Sequence, residues 1–517
     1  MTSTDASAMQ DNQAAAAQAD KPRPDDVAAR VNNRSRRPNS KAFREFIARD
    51  WAPRPDPDGV AAAVAPYAAA RREAISKKFP GDRLVIPAGP LKVRSNDSDY
   101  RFRPHSAFAH LTGFGRDHEP DAVLVLEPTD DGHDAQLFFR PRAGRDTEEF
   151  YANARYGELW VGVRPSLEEV EAELDVEARH LDDCADAVTK DAGAIRVRLV
   201  TGADPTYDQM LAVARADLDA DETAAADAEL VETLSELRLI KDDYEIAQMR
   251  EAIAITAGGF EQIARALPRA IRHDRGERVV EGAFESHARE DGNGVGYETI
   301  AASGPHACTL HWIRNDGTVD AGDVILVDAG AEADSLYTAD VTRSLPTSGT
   351  YSDAQRRVYQ AVVDAADAAF AVAAEHGERE VRFRDLHAAA MKVLAHRLED
   401  WGLLPGTAEE SLREDGQFHR RWMVHGTSHH LGLDVHDCAQ ARAEMYMDAL
   451  LEPGMVFTIE PGLYFKEDDL AVPEGLRGIG VRLEDDVLVT ADGVENLSAA
   501  LPRTPGDVEA WMRSLQS

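Results

Sequence analysis

The stretch Val324–Ser344, VILVDAGAEADSLYTADVTRS, constrains this chain more than any other. Val324, Ile325, Leu326 and Val327 form an aliphatic, β-branched run that predicts a buried strand. Asp328 closes the run, and Gly330 supplies a place for a sharp turn. Twelve positions on, Asp340 and Thr342 alternate with Ala339, Val341 and Arg343. This spacing predicts two neighbouring strands that bring both carboxylates to one wall of a cavity. Two buried, uncompensated carboxylates repel one another and take up protons, so such a wall needs cations. Either aspartate alone is an ordinary turn residue. The reading gains force because further ligand-type side chains follow in equally apolar settings.

HGTSHHLGLDVHD, from His425 to Asp437, carries four histidines. FTIEPGLY, from Phe457 to Tyr464, ends an apolar strand at Glu460, before Pro461 and Gly462. In GIGVRLEDDVLVT, from Gly478 to Thr490, Val481 and Leu483 face one way, and the period of two puts Arg482 and Glu484 together on the other. Charged side chains inside apolar strands are costly unless paired or bound to metal. The candidate ligand set is Asp328, Asp340, His429, Glu460 and Glu484, four carboxylates and one imidazole.

In order and context these residues resemble the pita-bread metallopeptidases, the family of methionine aminopeptidase, aminopeptidase P and prolidase. HGTSHHLGLDVHD and TIEPGLYF look most like the aminopeptidase P (Xaa-Pro aminopeptidase) and prolidase branch. The resemblance is strong over roughly residues 230 to 500 and weaker before them. The Asp328–Asp340 spacing is one residue longer than the family's, which puts the extra residue in the 333–338 turn. The implied fold class is α+β: a C-terminal pita-bread (creatinase/aminopeptidase-like) catalytic domain behind an α/β RNase H-like N-terminal domain. The expected division is a disordered tail over 1–38, an aminopeptidase P-type N-terminal domain over 39–225 and the catalytic domain over 230–517.

Composition narrows the function classes. A formal net charge of −36, from 93 acidic and 57 basic residues, argues against nucleic acid and anionic membranes as partners. Three scattered cysteines, Cys184, Cys308 and Cys438, form no disulfide framework and point to a reducing compartment. Cys438 reads as a small buried residue, not a ligand. The opening residues hold no apolar run of the secretory kind and no 18-residue apolar run follows, so the cytoplasm is the expected location.

Along the chain, Val60–Phe79 reads as a helix interrupted at Pro66, and Leu84–Pro87 as a strand. Asp121–Glu127 and Ala135–Arg140 read as adjacent strands joined by the Thr129–Gly132 turn. Ser166 with Glu169 is a capping-box signature, and Asp204–Pro205 opens a helix to about Leu218. SDYRFRPHSAFAHLTGF, from Ser98 to Phe114, resembles the family's substrate-side segment. Thr223–Asp227 reads as a linker. Leu234–Thr256 carries helical periodicity, with Asp242 and Glu245 placed to cap its second half. Further helices are expected near 257–267, 277–289, 354–375 and 384–400, surface insertions at 408–421 and 467–475, and a closing helix over 505–512.

A hard-donor set with one imidazole favours manganese, with cobalt, iron or zinc as substitutes, and five side chains exceed the needs of one ion. Two ions are therefore expected, with a water or hydroxide between them. The resemblance implies that Asp340 and Glu484 bridge, Asp328 holds one ion, and His429 and Glu460 hold the other. It further implies that Glu460 accepts the proton of the attacking water. By the same resemblance, His311 and His436 are expected to contact the reacting peptide, His425 to line a proline pocket, and Arg482 and Tyr464 to support the ligands. His430 reads as a packing residue. The expected substrates are peptides with proline in second position, and a homo-oligomer (dimer or tetramer) is expected. A prolidase confined to dipeptides and a non-catalytic peptide-binding module are the competing readings.

Overall fold

The structure is a computed structural model and describes residues 38, 40–54, 61–115 and 119–516. The expected 1–38 tail lies, but for its last residue, outside the described residues. The N-terminal lobe is built on a five-stranded mixed sheet in the order Glu177–His180, Gly132–Phe139, Val123–Thr129, Arg83–Pro87, Val197–Leu199. The two outermost pairings are parallel and the inner two antiparallel. Alternation sorts its side chains into two cores. Leu84, Ile86, Leu124 and Leu126 pack on one face with Phe108 and Leu174, while Val85, Val123 and Val125 pack on the other with Val188 and Leu211.

Local sequence explains the helix boundaries. Ser166 and Glu169 close a capping box on Leu167–Leu174, and Asp242 and Glu245 close another on Asp243–Ala270. Pro66 does not interrupt its helix. It stands in the first turn of Ala65–Ser76, where its missing N–H has no partner to lose, and the expected start at Val60 lies outside the described residues. The helix opened by Asp204 ends at Ala214, four residues short of expectation. The stretch read as a linker, Thr223–Asp227, is helical instead, inside Ala220–Leu237. Its alanines are strong helix formers, and Asp227 is buried against the Arg215 guanidinium at 2.9 Å. The periodicity from 243 to 267 belongs to one helix of 28 residues.

In the C-terminal lobe Val324–Ala329 is flanked antiparallel by Ile300–Ser303 and Val341–Pro346. A second ladder joins Val456–Ile459, Asp485–Thr490 and Gly493–Asn496, and Gly462–Phe465 pairs with Ile479–Arg482. A single bridge from Thr342 to Glu484 joins these ladders into one wall, and one from His430 to Phe457 attaches the histidine loop to it. The helices Asp243–Ala270, Gly276–Asp291, Asp353–Ala374 and Phe383–Asp400 cover its apolar side through one large core. The two expected insertions pack on each other: Arg421 donates to both oxygens of Asp469, at 2.9 and 2.7 Å.

Candidate metal centre

Strand register delivers the carboxylates. Asp328, near the end of its strand, lies opposite Thr342, and Asp340 immediately precedes the partner strand. Tyr297 ties the two aspartates together, its hydroxyl meeting Asp328 Oδ1 at 2.7 Å and also Asp340 Oδ1. Glu484 Oε2 accepts from the Thr342 hydroxyl at 2.7 Å, and that hydroxyl oxygen in turn accepts from Arg482 Nε at 3.2 Å. Arg482 and Glu484 thus share a face, as the alternation predicts.

His429 meets this group from the other ladder. Its backbone exchanges bonds with Thr458, and its Nδ1 donates to the His430 carbonyl at 3.1 Å. That bond leaves Nε2 facing Asp340 at 3.3 Å, Glu460 at 3.8 Å and Glu484 at 3.9 Å. One donor atom each from Asp340, His429 and Glu484 lie within 4.8 Å of one another. The group forms the floor of a cavity of about 310 Å³ whose walls include His311, His425 and His436.

The electrostatics call for positive charge at this point. Burial raises Glu460 to about 7, against the pull of His429 and Arg482. Burial also raises Glu484, and Asp340 and Glu460 push it further the same way. Burial disfavours a charged His429, yet its Asp340 hydrogen bond and the Glu460 charge outweigh this and raise it to about 9. Among the described residues these four carboxylates have one guanidinium hydrogen-bonded to them, Arg482, through Nη2 to Asp328 Oδ2. A donor set of this hardness and charge fits divalent cations.

The rim is ordered by directed hydrogen bonds. His425 Nδ1 faces the Gly426 carbonyl at 2.6 Å, so it must be the donor, and Nε2 accepts from the Tyr464 hydroxyl at 2.7 Å. Arg482 Nη1 in turn donates to Tyr464 at 3.1 Å. Burial, followed by Arg482, lowers His425 to about 3, which fits this neutral tautomer. His425 thus lines the cavity with both ring nitrogens engaged. His436 stands edge-on to His429 with centroids 4.5 Å apart, and burial lowers its pKa. His430 is buried and stacks on Phe383, in keeping with a packing role. Cys438 is likewise buried.

Two contributors escaped the sequence reading. Tyr297 carries no spacing signal, because only the pairing of Gly294–Val295 with Ala331–Glu332 brings it to the aspartates. Glu277 is fully buried in a helix remote in sequence from the site. It accepts from Ser303 N, His306 Nδ1, Trp312 Nε1 and Gly317 N at 2.7–2.9 Å, fixing the loop that carries His311. A glutamate placed at helical spacing on the apolar stripe of Val280 and Phe284 was the available clue.

Fold and site together define a metallopeptidase of pita-bread architecture, and comparison with known proteins agrees. The sequence matches Metallopeptidase family M24 over residues 247–491 and the aminopeptidase P N-terminal domain over 68–197. It is 50% identical over 454 residues to Xaa-Pro aminopeptidase 1 of Streptomyces coelicolor, covering 88% of each chain. It is 31% identical to the Xaa-Pro aminopeptidase of Escherichia coli, over 86% of this chain and 96% of that one. The solved structure of zinc-substituted E. coli aminopeptidase P in complex with product superposes with a TM-score of 0.76 at 30% identity, covering 88% of this chain and all of that one. The chain belongs to metallopeptidase family M24, among the Xaa-Pro aminopeptidases.

Proposed function

We propose that the protein releases the first residue from peptides with proline in second position, using two divalent cations. The observation that carries this reading is the convergence of Asp340, His429 and Glu484 on one point, beneath a cavity walled by three histidines. Asp328 would hold one ion, His429 and Glu460 the other, and Asp340 and Glu484 both. When bound, such ions acidify water and polarise a peptide carbonyl. Glu460, beside His429, takes the proton of the attacking water. His311 and His436 face the cavity to hydrogen-bond the reacting peptide. His425, its nitrogens occupied, acts as a wall for the proline ring, held by Tyr464 and Arg482. The hard donors favour manganese. The acidic surface and unpaired cysteines support a cytoplasmic enzyme without nucleic acid or membrane partners, and we expect it to assemble as a homo-oligomer.

The test is peptide hydrolysis by the metal-depleted protein, followed by mass spectrometry after manganese is restored. Xaa-Pro-Yaa tripeptides and longer peptides should lose the first residue only, at least as fast as Xaa-Pro dipeptides. Peptides without proline in second position should be poor substrates. Full turnover after exhaustive chelation would remove the metals from the reaction, and rapid dipeptide hydrolysis without cleavage of longer peptides would make this a prolidase.

A further inference from the structure

The segment Arg101–Ser106, inside the N-terminal motif that resembles a substrate-side element, is absent from the walls of the site cavity. Its polar groups grip the catalytic lobe instead. Arg103 Nε donates to Glu332 Oε2 at 2.7 Å, and Arg103 Nη2 donates to the Leu433 carbonyl. Arg101 donates to the carbonyl and side-chain oxygens of Asn293 at 2.7 and 2.8 Å. Asn293 Nδ2 then donates to the remaining oxygen of Glu332 at 2.6 Å. Ser106 donates to Asp434 Oδ1 at 2.5 Å.

These contacts fall on the two loops that present the candidate ligands. Glu332 lies on the turn from Asp328 to Asp340, and Leu433 on the turn from His429 to His436. The loops also meet through Thr338 N and the Gly432 carbonyl at 2.9 Å. Asn293 begins the ribbon that delivers Tyr297 to both aspartates, with Gly296 N bonded to the Gly330 carbonyl at 2.9 Å. A single guanidinium, Arg103, therefore spans the aspartate turn and the histidine turn, and Arg101 secures the adjoining ribbon.

We infer that Arg103 and Arg101 are positioning residues: the N-terminal lobe clamps the aspartate and histidine loops at a fixed separation and so sets cation affinity and turnover. This rests on the reading that the site binds cations. An ordinary half-exposed ion pair would change stability slightly and leave cation affinity alone. A clamp acts on the spacing of the donors, for which supporting contacts are worth roughly 10–100-fold in metal affinity.

The test is calorimetric titration of the metal-free full chain with Mn²⁺, together with kcat and KM on an Xaa-Pro-Yaa peptide. Arg103→Ala should weaken cation binding about tenfold or more and lower kcat, while KM changes little. Arg103→Lys should rescue only in part, because an ammonium cannot span both acceptors in the guanidinium's fork geometry. Glu332→Gln should reproduce the loss, since its amide turns a donor toward a donor, and adding Arg103→Ala should cost little more. Arg179→Ala, at an exposed pair on the edge strand, should match the parent protein. Parent-like cation affinity and kcat in Arg103→Ala would overturn the clamp. If that variant does not fold, the same result in Glu332→Gln would overturn it. A parent protein that binds no cation would instead sink the metal reading, and the clamp with it.

Discussion

Tyr297 has one hydroxyl hydrogen and two carboxylate neighbours, Asp328 and Asp340. Burial and the two aspartates hold its phenol far above the ordinary range, so it stays protonated and acts as a spacer. Tyr297→Phe keeps the ring's packing and removes the spacer. Manganese affinity, measured by titration of the metal-free protein, should fall about 10–100-fold with the circular dichroism spectrum unchanged. Unchanged affinity would show that strand register alone sets the separation of the aspartates. Nothing comparable is expected at His430, whose ring is engaged by Phe383 and Tyr446 and not by the donors.

At the level of elements, the His429–Asp437 loop is anchored at its far end by a buried charge cluster. Asp437 accepts from Arg238 at 2.9 Å and from Lys241 at 3.2 Å. Burial would raise Asp437, but the two cations outweigh it and depress its pKa well below the carboxylate range. A depressed carboxylate stabilises the fold above its unfolded pKa, near 3.9, and loses that contribution as pH falls further. Urea midpoints should therefore drop as pH falls below about 4, and Asp437→Asn should flatten that dependence while costing about 3–5 kcal/mol at neutral pH. An equally steep acid response in the variant would exclude Asp437 as its source. The elements around the site show what sequence can and cannot disclose. Asp328 and Glu460 are legible because each closes an apolar strand, and Glu484 because period-two alternation puts it on the face of Arg482. Tyr297 and Glu277 are not, because their positions follow from pairings between segments far apart in the chain. Thr223–Asp227 reads as a linker because small and acidic residues suit a helix as well as a linker, whereas the Asp219 cap and the buried Asp227–Arg215 pair form only in the fold.

For the whole molecule, a net charge of −36 means that folding gathers like charges. Raising salt from about 0.05 M to about 0.5 M screens this repulsion and should raise the thermal midpoint of the metal-free protein. A midpoint that falls with salt would mean that the ion pairs between the lobes outweigh the global repulsion. Those lobes also share the Ala220–Leu237 helix. Leu230 and Leu234 lie in the N-terminal core, whereas Ser235, Glu236 and the capping Arg238 bond to Gln440, Arg442 and Asp437 of the catalytic lobe. The halves are therefore not interchangeable cassettes. A recombinant crossover near residue 225 would leave Leu230 and Leu234 attached to a donor sequence that never evolved to cover them. Grafting between relatives should succeed only when the junction follows Arg238, so that the helix stays with the sheet face it covers, and when the incoming catalytic lobe keeps partners for Ser235, Glu236 and Arg238.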